Sequence, residues 1–265
     1  MEDWELRDKK VLNIAHRGAS AYRPENTMEA FVQAITLGAD IIEMDVRQTS
    51  DGYLVLLHDE TVDRTTDGTG AISELTLKQV KSLDAGMGNR IPTLEEVVSQ
   101  FSRGRVVLNL EIKCPGIEKR VLEMVHRLFH GDRVLISSFR PSVLRRVREM
   151  DGKMRIGLLV GRARSINPIA WIRRAFPLST FAEVGADTLH QHARLTHRYL
   201  IARCKREGIP LYVWAVNGEP EMRRLIRRGV DGIFTRCPDM LAKVIQGEIG
   251  KGYGKDARRG EQRGG

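Results

Sequence analysis

The sequence predicts an α/β fold, a parallel (β/α)8 barrel with a small insertion after strand two, and three observations carry that expectation. The chain has 265 residues, which suits one barrel domain of roughly 250 residues. Short apolar, β-branched runs alternate with longer helical patterns from end to end, as a parallel sheet with helical crossovers requires. Ionisable residues gather where the predicted strands end, the face on which such barrels build their sites.

Strand one is "VLNIAH" (11–16), followed by the helical stretch "ENTMEAFVQAITLG". "IIEMDV" (41–46) and "YLVLLH" (53–58) count as strand two and its extension. Residues 60–92 are turn-rich with one short helical pattern, "TLKQVKSL", and form the insertion, which caps one end of the barrel. The alternation resumes with the strands "VVLNLEI" (106–112), "VLISSF" (134–139), "RIGLLV" (155–160), "ADTLH" (186–190), "LYVWAV" (211–216) and "GIFT" (232–235). Helical patterns between them include "IEKRVLEMVHRLF", "PSVLRRVREM", "THRYLIARCKREG" and "EPEMRRLIRRG". One barrel domain thus spans 1–246. Residues 247–265, Gly-rich and charged without apolar periodicity, predict a disordered basic tail.

Lys and Arg number 43 against 34 Asp and Glu, a net charge of +9 that favours anionic partners. Aromatic residues are only 6%, and no basic run is interleaved with stacking platforms, so nucleic-acid binding is not expected. Cys114, Cys204 and Cys237 are odd in number and widely spaced, which argues against a disulfide scaffold and fits a reducing compartment. The charged N-terminus and the lack of any long apolar run predict a cytoplasmic protein without a transmembrane segment.

Within "IIEMDV", Glu43 and Asp45 alternate with apolar residues and therefore share one face of the strand. Two adjacent buried carboxylates need a cation, or burial and mutual repulsion push one of them to hold a proton. "LNLEIK" sets Asn109, Glu111 and Lys113 on one face of the next strand. Glu43, Asp45 and Glu111 then make an oxygen-only donor set for one divalent cation, Mg²⁺ or Ca²⁺, with Mn²⁺ a third candidate. The competing reading is that Arg17 and Lys113 neutralise these carboxylates as simple salt bridges. His16 and His58, at strand ends beside the cluster, are the predicted proton-transfer pair. Arg17 and Lys113 suit a phosphate group, the first as a fork and the second as a point charge. Metal, cations and two histidines together describe phosphodiester cleavage. Trp214 is a candidate wall for a small organic moiety and Asn217 a candidate helix cap; His190, His192 and His197 read as structural.

The run "AHRGASAYRPENTMEAFVQAITLGADIIEMDVRQTSDGYLVLLHDETVDRTTDGTG", with "IPTLEEVV", "LNLEIK", "ISSF", "VWAVN" and "GVDGIFTRCPD", closely resembles the glycerophosphodiester phosphodiesterases over nearly all of 12–245. The resemblance implies a TIM-type barrel with a small insertion after the second strand. It also implies a divalent metal on Glu43, Asp45 and Glu111, acid–base catalysis by His16 and His58, and phosphate binding by Arg17 and Lys113. Family members cleave glycerophosphodiesters such as glycerophosphocholine or glycerophosphoethanolamine into glycerol 3-phosphate and an alcohol. By analogy with related phospholipases, the neighbouring glycerol hydroxyl attacks phosphorus first and water opens the resulting cyclic phosphate. The segment 161–180 is the least similar part.

Two other readings compete. A lysophospholipase D acting on single-chain lipids would want an apolar lip at the mouth; the insertion offers Leu75, Leu77, Val80, Leu83 and Met87, whose helical spacing instead predicts packing onto the barrel. A non-catalytic phosphate- or phospholipid-binding module would not need both histidines. Weak contact of the basic tail with a membrane surface would add to catalysis and not replace it.

Overall fold

Residues 11–129, 133–161 and 177–252 are described by the structure, a computed structural model. Their strands are β1 (Leu12–His16), β2 (Ile41–Gln48), β3 (Leu54–Leu56), β4 (Val107–Ile112), β5 (Val134–Ser138), β6 (Arg155–Val160), β7 (Thr188–His192), β8 (Leu211–Trp214) and β9 (Gly232–Thr235). The ladder runs β1-β9-β8-β7-β6-β5-β4-β2, parallel throughout, and pairing of β1 with β2 closes it into an eight-stranded barrel.

One strand expectation needs correction. The run 53–58 does not extend the second strand; its centre, β3, folds back antiparallel on β2 with Leu56 opposite Val46. The cause is the turn "TSDGY": Gly52 takes a φ of 88°, and the Thr49 amide donates to the Tyr53 carbonyl at 2.9 Å, which reverses the chain. The seventh strand also starts later than 186, because Asp187 is engaged as an acceptor for the Ile156 amide at 2.8 Å and for Arg148.

The described helices are α1 (Met28–Thr36), α2 (Leu77–Ser82), α3 (Leu94–Phe101), α4 (Glu118–Leu128), α5 (Pro141–Met150), α6 (Leu178–Val184), α7 (Arg198–Arg206), α8 (Glu219–Arg228) and α9 (Pro238–Gly250). Their starts are written in the sequence: Thr27 caps α1, Thr76 and Thr93 open capping boxes with Gln79 and Glu96, and proline stands in the first turn of α5, α8 and α9. Helix α9 runs through Gly247 to Gly250, past the predicted tail boundary. The rest of that tail, 253–265, and most of the least similar segment, 162–176, lie outside the described residues.

Glu248 shows what anchors α9. Its carboxylate is buried and accepts from Arg223 at 2.9 Å and from Arg227 at 2.7 Å, both on α8. The Arg227 hydrogen bond, opposed by burial and aided by Arg223, pulls its pKa down to about 2. A carboxyl lowered in the folded state contributes stability that is present above its unfolded value, near 4.3, and is lost as pH falls towards 2. The melting-temperature gap between wild type and Glu248→Gln is therefore expected to narrow steadily from pH 5 to pH 2; a gap independent of pH would contradict the pairing.

The barrel interior changes character along its axis, and the period-two pattern of each strand shows how. Leu12, Ile14, Ile41, Val107, Leu135, Tyr212 and Phe234 form an apolar cluster in its lower half. Two residues further along the same faces stand His16, Glu43, Asn109 and Ser137, and beyond them Asp45 and Glu111. His190 fills the opposite side, stacked on Tyr212 and fully buried, and Gly157 makes room for it: a Cβ there would lie 2.6 Å from the imidazole. The insertion has a small core of its own, in which Val62, Ile72, Val80 and Ile91 pack with Val55 and Leu57 of the β3 segment.

Candidate active site

Register alone brings the predicted carboxylates together. His16 lies beside Glu43 across the β1–β2 pair, and Asp45 beside Glu111 across β2–β4. Glu43, Asp45 and Glu111 are buried, and each offers an oxygen within 4.8 Å of the others. Arg17 and Gly18 follow β1 with φ values of 59° and 78°, a turn that points the Arg17 amide at Glu43 Oε2, 2.8 Å away. Gly18 is required there twice over, since a Cβ would also fall 2.6 Å from the Ala30 carbonyl carbon.

The salt-bridge reading accounts for two carboxylates and fails on the third. Arg17 Nε is 3.2 Å from Asp45 Oδ2, and Lys113 Nζ is 3.3 Å from Asp45 Oδ1 and 2.6 Å from Glu111 Oε1. Despite burial, Lys113 and Arg17 hold the Asp45 carboxyl well below the usual range. Among the described residues Glu43 receives no Lys or Arg side chain at contact distance, His16 Nε2 is 4.0 Å away, and buried Glu43 Oε1 has no hydrogen-bond partner. Burial, then Asp45 and Glu111, push the Glu43 pKa far up, and burial with Asp45 raises that of Glu111 to about 7. An all-oxygen donor set with an unpartnered buried acceptor fits a hard divalent cation. Three carboxylates against two cations leave one net negative charge; a divalent ion would make it one net positive, complementary to a phosphodiester anion.

The two histidines flank this cluster in different settings. His16 is held neutral by burial and by the neighbouring Arg17 charge, its pKa lowered to about 3. His58, one third exposed, comes back over the site on the β3 side; burial lowers its pKa too, and its Nδ1 is 2.6 Å from Asp59 Oδ1. Both are therefore neutral at pH 7, so each can accept a proton there and donate it later.

Trp214 stands at the end of β8, its indole N–H donating to the His190 carbonyl at 3.0 Å and its ring edge-on to Phe139 and His192 at 5.4 and 4.9 Å. Phe139 lies beside Lys113, whose Nζ is 5.9 Å from its ring centre. Asn217 is not a helix cap. Gly218 occupies that position, and Asn217 Oδ1 instead accepts the Arg236 amide at 2.9 Å, which joins the ends of β8 and β9. His192 and His197 cap the short helical turn at 193–195 and α7, as structural histidines do.

Sequence reasoning assigns no role to Glu25, Asn26, Asp59 or Phe139. Asn26, at a φ of 57°, grips Asp45 twice: its amide donates to Oδ2 at 2.8 Å and its carbonyl accepts the Asp45 amide at 3.2 Å. The signal available is the polar pair Glu-Asn ahead of the Thr27 cap, a place where a left-handed residue and a second-layer partner are both common.

A model of the glycerophosphoryl diester phosphodiesterase family matches residues 16–240. The chain belongs to that family. This phosphodiesterase is 40% identical over 249 residues to a glycerophosphodiester phosphodiesterase of Caldanaerobacter subterraneus, covering 89% of this chain and 98% of that one. Among solved structures it resembles a phosphodiesterase from Oleispira antarctica in complex with the product sn-glycerol-3-phosphate, at 29% identity and a TM-score of 0.76, covering 88% and 96% of the two chains. It also resembles the Thermotoga maritima glycerophosphodiester phosphodiesterase, at 28% identity and a TM-score of 0.73, covering 88% and 98%. The enzyme is thus a hydrolase on a parallel barrel with an acidic cluster able to hold a metal ion. Among its described residues no helix is long and apolar enough to cross a membrane.

Proposed function

We propose that this phosphodiesterase hydrolyses small glycerophosphodiesters, glycerophosphocholine and glycerophosphoethanolamine among them, to glycerol 3-phosphate and an alcohol, with one divalent cation on Glu43, Asp45 and Glu111. The observation that carries the reading is the unpartnered Glu43 oxygen inside a three-carboxylate cluster, with two neutral histidines and two phosphate-binding cations around it. When bound, the ion supplies Lewis-acid stabilisation of the charge that develops on the phosphoryl oxygens. Arg17 and Lys113 orient the phosphate and hold it against the cluster. His16, buried and neutral, takes the proton of the attacking hydroxyl. His58, in the fraction of enzyme that carries it as an imidazolium paired with Asp59, gives its proton to the departing oxygen and is left neutral. If the attacking group is the neighbouring glycerol hydroxyl, a cyclic phosphate forms and water opens it with the two histidine roles exchanged. Phe139 and Trp214, edge to face beside Lys113, offer an apolar wall for the organic part of the substrate.

The lipid alternative draws less support. Val80 is buried in the insertion's own core and Leu75, Leu77 and Leu83 pack against it, leaving Met87 as the exposed apolar residue of the proposed lip. The deciding assay is product release by metal-stripped protein with Mg²⁺, Ca²⁺ or Mn²⁺ restored. Metal-dependent glycerol 3-phosphate from the small diesters is expected. Choline release from a lysophospholipid alone would favour the lysophospholipase D reading, and no cleavage of either would leave a binding module.

A further inference from the structure

Glu25 and Arg64 have no role in the chemistry above, yet they join the two halves of the site. Arg64, from the insertion, forks onto Glu25 with Nη1 3.0 Å from Oε2 and Nη2 2.7 Å from Oε1, while its Nε donates to Asp59 Oδ2. Asp59 in turn holds His58 Nδ1 at 2.6 Å. On the other side Glu25 Oε1 accepts from Arg17 Nη1 at 2.9 Å, and Arg17 Nε lies 3.2 Å from Asp45. The line Asp45, Arg17, Glu25, Arg64, Asp59, His58 is continuous and alternates in sign from Asp45 to Asp59. Arg47 adds a second grip, its Nε and Nη2 donating to the His58 carbonyl at 3.0 and 2.8 Å.

We propose, on the basis of the phosphodiesterase reading above, that Glu25 and Arg64 are positioning residues that fix the tautomer and orientation of His58 relative to the carboxylate cluster. A carboxylate beside Nδ1 keeps a proton on that nitrogen and leaves Nε2 as the one that exchanges a proton with the substrate. Asp59 is itself on a short loop, so the constraint holds only if its second oxygen is fixed; Arg64 fixes it, and Glu25 fixes Arg64. The support is rigid at both ends. Val62, two residues before Arg64, is fully buried in the insertion's core, and Arg17 is packed against Asp45. Three nitrogens of one planar guanidinium make the joint, which a lysine ammonium at the same place cannot reproduce. Arg64 is about half exposed, so the joint adds little to global stability.

The test compares Arg64→Lys, Arg64→Gln and Asp59→Asn with wild type in the full chain, reading kcat and KM on glycerophosphocholine, melting temperature, and the ¹⁵N shifts of the His58 ring at pH 8. His58→Gln serves to assign the resonances. All three variants are expected to lose roughly 10- to 100-fold in kcat, as lost supporting partners commonly do, with KM and melting temperature nearly unchanged. The ¹⁵N spectrum should move from the Nδ1-protonated form in wild type to a mixture in the Arg64 variants and towards the other tautomer in Asp59→Asn. Full activity in Arg64→Lys would overturn the proposal, as would a raised KM at constant kcat, a kcat loss matched by a fall in melting temperature, or an unaltered His58 tautomer. Wild type that cleaves no diester would sink the functional reading instead, while the ring spectrum would still decide the positioning role.

Discussion

Replacing Glu43 with glutamine is expected to cut turnover at least ~100-fold, the loss typical of a missing metal ligand, and at the same time to raise the melting temperature of the metal-free protein. The two effects have opposite signs for one reason. Glu43 is the cluster member that no Lys or Arg side chain among the described residues pairs at contact distance, so without an ion its ionised form is opposed by burial and by Asp45 and Glu111. Glutamine is nearly isosteric, keeps an acceptor for the Arg17 amide, and removes the repulsion. Wild type should gain stability from added Mg²⁺ or Ca²⁺ by mass action, about 2.7 kcal/mol at a hundredfold excess over Kd, and the variant should gain far less. Calorimetry with and without chelator, alongside the turnover assay, reads both terms. A variant with near-normal turnover would remove Glu43 from the site; one that is inactive yet stabilised by metal as much as wild type would place the ion elsewhere.

The chemistry of the β2 and β4 faces is legible in the sequence because strands have a period of two: once Ile41 and Val107 face inward, Glu43, Asp45 and Glu111 must as well. The barrel follows from the same alternation. What stays hidden depends on turns and on long-range pairing. The run 53–58 has the composition of a strand, but the turn at Gly52 decides its direction, and that reversal is what brings His58 back over Asp45. Asn26 and Glu25 act through a left-handed turn ahead of α1, where neither periodicity nor propensity marks a partner nineteen residues or more away. Asn217 misleads because Pro220 in the first turn of α8 makes a cap one residue early look natural; its oxygen is already taken by the β9 end. Arg64 lies in turn-rich sequence whose only visible pattern is α2, so its fork onto Glu25 emerges only in three dimensions.

Substitution of His16 by alanine is expected to lower kcat at least ~100-fold with little change in KM, since general acid–base groups commonly contribute 10²–10⁴ in rate. Its position argues for chemistry over structure. The Nδ1 of His16 has no hydrogen-bond partner among the described residues and its Nε2 approaches Glu43 only to 4.0 Å, and the ring stands at the mouth end of β1 above the apolar layer of Ile14. Because burial and Arg17 keep the imidazole neutral down to about pH 3, the loss should be nearly uniform from pH 5 to pH 9. Alanine leaves a space that free imidazole can enter, and added imidazole should restore part of the rate in His16→Ala while doing nothing for Glu43→Gln. That contrast separates a missing proton acceptor from a missing metal ligand. A His16→Ala enzyme with wild-type turnover would leave His58 as the one proton-transfer group, and the two-histidine mechanism would fall.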